Sequence, residues 1–252
     1  MQIITLVLAL LAADPERMEW KIGEDVREAL VYAPSKTSDD PPPLVFAWHG
    51  HGGSGRNSAR TFRIHEEWPE AVVVYPQGLP TAGKTDPEGK KPGWQHGPGD
   101  EGDRDLLFFD AMLETMKEKF EVDEKRIYST GHSNGGGFTY LLWGVRGDVF
   151  AAVAPSAAAG SKTLRESKPL PLMHLMGEGD TVVPTEAQKK VLELIKEFNG
   201  CEGEGEELAE GVTLYESTKG APIVVFVHGG GHKYPARGPA LIVKFFKEHS
   251  KE

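Results

Sequence analysis

The feature that most constrains this chain is a series of short, wholly apolar segments recurring between longer stretches of helical periodicity. Leu44-Val45-Phe46-Ala47-Trp48 carries no polar residue on either face. A strand covered by helices on both sides reads this way, because each of its side chains meets a core. Ala71 to Tyr75, Phe150 to Ala154, Leu170 to Met176 and Ile223 to Val227 are similar runs, and Ile127 to Thr130 is a further strand. Between them, Leu106 to Phe120 has apolar residues at 106, 109, 113, 116 and 120, the spacing of a helix packed on a sheet. Phe138 to Trp143 starts a second helix, Glu186 to Phe198 forms a third and Pro239 to His249 a fourth. Strands alternating with helices predict an α/β fold, a mostly parallel central sheet with helices on both faces. Glu19 to Tyr32 reads as a pair of edge strands feeding that sheet.

A chain of 252 residues can bury a two-sided sheet without a disulfide or metal staple. We read residues 14–252 as one domain. The formal charge of −10 and the scattered Lys and Arg exclude a nucleic-acid partner, which needs clustered cations. The acidic run Glu202 to Glu210 reads as solvated surface. Ile3 to Ala13 is apolar apart from Thr5, with the length of a signal-peptide core and too short to span a membrane. Residues 1–13 are therefore expected to be a signal peptide cleaved after Ala13, giving a secreted protein with no membrane partner. A first buried strand is the competing reading. The single cysteine, Cys201, cannot form an intramolecular disulfide.

The chemistry is carried by Gly131-His132-Ser133-Asn134-Gly135, directly after one expected strand and directly before an expected helix. A strand-to-helix turn this tight strains the serine backbone and lifts its hydroxyl above the sheet, while glycines two residues either side remove clashing side chains. The helix N-terminus behind it presents free N–H groups to a developing oxyanion. This is the nucleophile elbow of the α/β-hydrolase fold, with Ser133 as nucleophile.

A serine hydroxyl needs a general base, and the base an orienting carboxylate. In this fold the partners follow in the order acid, then histidine, beyond the carboxyl ends of later strands. Asp180, after Gly177-Glu178-Gly179, fits the acid, with Glu178 as competitor; a helix-capping role is the plainer use of such an aspartate. His232, in Gly229-Gly230-Gly231-His232 after the last strand, fits the base better than His228, His249 or His65. His49-Gly50-His51-Gly52-Gly53 follows an early strand, and its flexible backbone suits an oxyanion donor. We assign the donors to the amides of His51 and Asn134, with Gly52 as alternative to His51. Histidines at positions 49 and 51 without a third ligand are a weak metal signal. Neither metal nor cofactor is expected. Trp94 lies within the Gly- and Pro-rich stretch Gln77 to Asp105, a length unusual for a loop without a task. It reads either as a stacking face for substrate or as an aromatic anchor for the loop.

Taken in order, these residues resemble the secreted polyhydroxybutyrate-depolymerase-like esterases, including the feruloyl esterases. The resemblance runs from about residue 27 to 248. It rests on His49-Gly50-x-Gly52-Gly53, Trp94, Asp105 opening a helix and Gly131-x-Ser133-Asn134-Gly135-Gly136. Phe150 to Pro155, Asp180-Thr181-Val182-Val183-Pro184, Asn199-Gly200-Cys201 and Gly229-Gly230-Gly231-His232 with Pro235 complete it. It implies a carboxylic-ester hydrolase using Ser133, Asp180 and His232 on hydroxycinnamoyl or acetyl esters of plant polysaccharide, or on short polyester. The chain departs from the pattern where many relatives carry a cysteine at the position of His51, where Cys201 lacks its usual partner, and at Lys233-Tyr234. A peptidase is the nearest rival. A lipase is disfavoured because no long apolar lid segment appears, and a silent carbohydrate-binding protein is disfavoured by the complete set of three residues. The sequence assigns no oligomeric state.

Overall fold

The computed structural model describes residues 14–36, 38–160 and 162–252; the signal-peptide reading of residues 1–13 lies outside them. In chain order the strands are β1 (Glu16–Ile22), β2 (Asp25–Tyr32), β3 (Leu44–Trp48), β4 (Val72–Pro76), β5 (Leu79–Pro80), β6 (Pro92–Gly93), β7 (Ile127–His132), β8 (Ala152–Ser156), β9 (Leu172–Gly177), β10 (Glu206–Ala209), β11 (Val212–Tyr215) and β12 (Ile223–His228). The helices are α1 (Gly55–Phe62), α2 (Ile64–Glu67), α3 (Arg104–Phe120), α4 (Asn134–Arg146), α5 (Thr185–Asn199) and α6 (Gly238–Lys247).

Ten strands form one sheet in the order β1-β2-β4-β3-β7-β8-β9-β12-β11-β10. The six from β4 to β12 run parallel, and the pairs β1–β2 and β11–β10 add antiparallel wings at the two edges. The parallel sheet expected from the apolar runs is thus its centre. The outermost strand, β10, falls within the acidic run read as surface. It is exposed along its whole length, and an edge strand with both faces wet can carry charges that mask its pairing.

Alternation along the strands divides the core in two. Leu44, Phe46 and Trp48 of β3 face one side, whose core cluster includes Phe109 of α3, Phe138 of α4 and Ile195 of α5. Val45 and Ala47 face the other, with Phe62 of α1, Ile64 of α2 and Phe246 of α6. Helices on both faces of a largely parallel sheet make the α/β-hydrolase arrangement. Among the described residues no helix is long and apolar enough to cross a membrane.

The long segment after β4 is organised rather than free. β5 and β6 pair antiparallel, and Gly83 and Asp86 exchange backbone hydrogen bonds beyond them. Its base is fixed by an ion pair between Arg27 of β2 and Asp105 of α3 at 2.8 Å, both side chains fully buried. The second Asp105 oxygen accepts the Gln95 N–H at 2.8 Å, and the Gln95 side chain in turn accepts the Asp105 N–H.

Candidate active site

Because β7, β9 and β12 are parallel, the turns that follow them open at one end of the sheet. Ser133 follows β7 with φ 56° and ψ −119°, a conformation that L residues rarely hold. Close packing around the turn holds it there. A Cβ on Gly131 would lie 2.4 Å from the Gly135 carbonyl oxygen, and one on Gly135 would lie 2.2 Å from that of Trp48. Only glycine lets the strand, the turn and β3 approach so closely. The Ser133 N–H donates to the Ser156 carbonyl at 2.8 Å, tying the turn to the end of β8.

The hydroxyl of Ser133 lies 2.8 Å from His232 Nε2, and His232 Nδ1 lies 2.9 Å from Asp180 Oδ2. Asp180 sits in the turn after β9, and its other oxygen accepts the N–H groups of Val182 and Val183, each at 2.9 Å. Burial alone would raise its pKa. The hydrogen bond from His232 and the Val183 and Val182 amides outweigh burial and hold the carboxyl below its usual range. An ionised Asp180 accepts the Nδ1 proton and leaves Nε2 free to accept from the Ser133 hydroxyl. The glycine-rich turn carrying His232 crosses so close to β9 that a Cβ on Gly177 would meet the Gly231 carbonyl oxygen at 2.3 Å. The structure therefore brings Ser133, His232 and Asp180 together, whereas Glu178 is exposed. His132 lies beside His232, with ring centroids 5.0 Å apart and planes tilted by 41°. Burial first, then the charge of His232, pushes His132 down to about 4, so its ring stays neutral.

The residues assigned to the oxyanion hole, His51 and Asn134, both line the cleft that holds Ser133. Asn134 is the first residue of α4, so its N–H has no acceptor within the helix. The Gly52 N–H donates to the Pro92 carbonyl at 2.7 Å, which removes Gly52 as the alternative donor. The loop after β4 grips both candidates. His51 Nε2 lies 3.1 Å from Asp86 Oδ2, the oxygen that also accepts the Lys91 N–H at 2.8 Å. The Asn134 side chain accepts the Trp94 N–H at 2.7 Å and donates to the Trp94 carbonyl at 3.0 Å.

Trp94 departs from the stacking role considered for it. Its ring has no exposed surface. It packs against Trp48 and Phe138, and its Nε1–H donates to the His49 carbonyl at 2.8 Å. The ring anchors the loop to the oxyanion segment and offers no face to a ligand. His49 is committed as well: Nδ1 lies 2.8 Å from the Gly50 carbonyl, and Nε2 accepts the Gly78 N–H at 2.9 Å. Burial pushes His49 down to about 4.

Two clefts flank the site, and His51 lines both. One, of about 240 Å³, is lined by Ser133, Asn134, Thr85, Ala158, Val182 and Val183. The other, of about 380 Å³, is lined by His232, Tyr234, His132, Phe62 and the oxyanion loop. Asp86 and the buried pair His174 and Gln188 were not singled out from the sequence. For His174 a signal existed, since a histidine inside the otherwise apolar run Leu170 to Met176 must find polar partners once buried.

No protein-family model matches the chain. Feruloyl esterase D of Neurospora crassa is 27% identical over 232 residues, 86% of this chain and 77% of that protein. Feruloyl esterase B of Piromyces equi is 28% identical over 235 residues, 82% of this chain and 42% of that longer protein. Among solved structures, the acetyl xylan esterase from Aspergillus awamori superposes with a TM-score of 0.68 at 14% identity, over 92% of this chain and 99% of that one. The last likeness shows the fold.

Proposed function

We propose that this protein is a serine carboxylic-ester hydrolase working through an acyl-enzyme, with Ser133 as nucleophile, His232 as base and Asp180 as its orienting acid. The observation that carries the proposal is the unbroken hydrogen-bonded line from the Ser133 hydroxyl through His232 to Asp180 on a strained strand-to-helix turn. Relatives named feruloyl esterases support the ester class. Hydroxycinnamoyl or acetyl esters of plant polysaccharide are the substrates, with short polyester as a third candidate. Export through residues 1–13 and a single α/β domain over 14–252 belong to the same proposal.

The chemistry follows from the geometry. His232 Nε2 takes the hydroxyl proton as Ser133 Oγ attacks the ester carbonyl. The oxyanion settles between the amides of His51 and Asn134. As the tetrahedral adduct collapses, the C–O bond to the alcohol breaks, and His232 returns the proton to the departing oxygen. Water, deprotonated by His232 in its turn, releases the acid and restores Ser133. The leaving oxygen must be within reach of His232, so the alcohol lies in the cleft lined by His232 and Tyr234. The acyl group lies in the cleft lined by Ala158, Val182 and Val183.

The test is hydrolysis of p-nitrophenyl acetate and labelling by a fluorophosphonate probe. Ser133→Ala abolishes both while the circular dichroism spectrum is unchanged. Turnover by that variant at the parent rate refutes the assignment. Parallel assays on methyl ferulate, acetylated xylan, polyester oligomers and a peptide p-nitroanilide rank the substrates.

A further inference from the structure

Behind Asp180 lies a buried line of polar groups that the proposed reaction does not use. Gln188 of α5 donates from Nε2 to Asp180 Oδ2 at 3.2 Å and to the Val183 carbonyl at 2.7 Å. Its Oε1 lies 3.0 Å from Nε2 of His174 on β9, and His174 Nδ1 lies 2.8 Å from the hydroxyl of Tyr140 on α4. None of the three side chains reaches solvent; Gln188, His174 and Tyr140 are each 0% exposed.

The direction of every proton in this line is fixed from the Asp180 end. A carboxylate and a carbonyl can only accept, so the Gln188 amino group must face Asp180 and Val183. Its carbonyl oxygen then faces His174, so His174 carries its proton on Nε2. Burial pushes His174 down to about 4, which keeps the ring neutral. Nδ1 is then an acceptor, and Tyr140 must donate to it. The reverse orientation at any one link would leave two acceptors or two donors face to face in a dry core, which costs far more than a normal hydrogen bond returns.

We infer that Gln188, His174 and Tyr140 are positioning residues for the acid of the proposed triad, a second hydrogen-bonded arm that meets Asp180 Oδ2 opposite the arm from Ser133 and His232. This rests on the reading of Asp180 as that acid. Asp180 could otherwise rotate about its side-chain torsions. With Oδ1 held by the Val182 and Val183 amides and Oδ2 held by Gln188, one orientation remains, and it aims Oδ2 at His232 Nδ1. The three residues touch no substrate and act only by fixing where the imidazole stands.

The test uses the whole protein with p-nitrophenyl acetate. Gln188→Leu keeps the volume and removes the donor; kcat falls about 10- to 100-fold, the scale of a misplaced reacting group, while KM stays within about twofold. Tyr140→Phe lowers kcat in the same way but less. His174→Leu behaves as Gln188→Leu, whereas His174→Gln, which again offers an acceptor to Tyr140 and a donor to Gln188, recovers most of the loss. A folded Gln188→Leu protein with parental kcat overturns the inference. Equal loss in His174→Gln and His174→Leu overturns it as well, since that is the mark of mere packing. If Gln188→Leu does not fold, Tyr140→Phe decides, because it removes a single oxygen; parental kcat there overturns the inference. Ser133→Ala separates this from the functional reading. Turnover surviving in Ser133→Ala refutes the reading itself, whereas its loss there with parental kcat in Gln188→Leu refutes only the second arm.

Discussion

Replacing Gly93 by alanine adds one methyl group at the point where both proposed oxyanion donors are steadied. The new Cβ would lie 2.7 Å from His51 Nδ1 and 3.0 Å from Asn134 Oδ1. The first contact is about 0.7 Å inside ordinary van der Waals separation. Neither neighbour can swing away freely. The His51 ring is tied to Asp86 through its other nitrogen, and the Asn134 side chain is held twice by the Trp94 backbone. The overlap is therefore passed to the backbones of positions 51 and 134, whose amides are the proposed oxyanion donors. Losing one such donor outright costs about 10²–10³-fold in kcat, so a displacement of part of an ångström is expected to cost roughly 10- to 100-fold. Gly93 does not have a positive φ, so alanine brings no backbone strain of its own. The crowding then costs about 1–3 kcal/mol of stability, offset in part by about 0.4–1 kcal/mol of lost unfolded-chain entropy. The assay is steady-state hydrolysis of p-nitrophenyl acetate beside thermal unfolding. A fall in kcat with nearly constant KM is expected, in a protein that still unfolds cooperatively at a modestly lower melting temperature. A Gly93→Ala protein with kcat within threefold of the parent refutes the placement of the oxyanion site beside this loop.

Other expectations follow from the same contacts. Asp180→Asn lowers kcat about 10⁴-fold by presenting a donor to His232 Nδ1 and favouring the wrong tautomer, while Glu178→Gln stays within threefold; the reverse order of effects moves the acid to Glu178. Asp105→Asn leaves the buried Arg27 guanidinium without its counter-charge and costs about 3–5 kcal/mol in urea unfolding; a loss below about 1 kcal/mol refutes this. Stability also depends on pH through histidines buried as neutral rings. His49, His132 and His174 are each pushed down to about 4 by burial, whereas the unfolded chain protonates them near 6.5. Between those values only the unfolded state gains the protons, so stability falls as the pH drops from about 6.5 towards 4, by on the order of 2 kcal/mol per ring at pH 5. An unchanged urea midpoint between pH 7.5 and 5 contradicts this.

What the sequence reveals and what it hides divide along one physical line. β3, the Ser133 turn and α4 are legible because their signals are local: an apolar run, a glycine spacing and a helical period within a few residues. Asp180 and His232 follow because a parallel sheet puts the ends of successive strands on one edge, so chain order translates into position. The role of Trp94 needs depth, and composition cannot distinguish a ring laid open to a cleft from one sealed beneath it. The pairing of His51 with Asp86 spans 35 residues across an irregular loop, and that of Tyr140 with His174 spans 34 from helix to strand. Such contacts depend on how elements of different period come to lie against each other. Gln188 is the plainest case. On α5 its amide looks like part of a wet face, and only the packed helix shows that face turned towards Asp180.

The loop between β5 and β6 is clamped where it leaves the sheet and again where it touches the oxyanion residues. Within the stretch from Gly83 to Lys90, Asp86 forms the second of those clamps through His51 and the Lys91 N–H. Lys84 and Thr85 beside it line the cleft proposed for the acyl group. On the proposed function, these two side chains would shape the acyl group from outside the line of Ser133, His232 and Asp180. Lys84 and Thr85 are then the positions to rewrite for a different acid while Asp86 beside them keeps its hold on His51, which makes this pair the place to retune the protein towards a chosen ester.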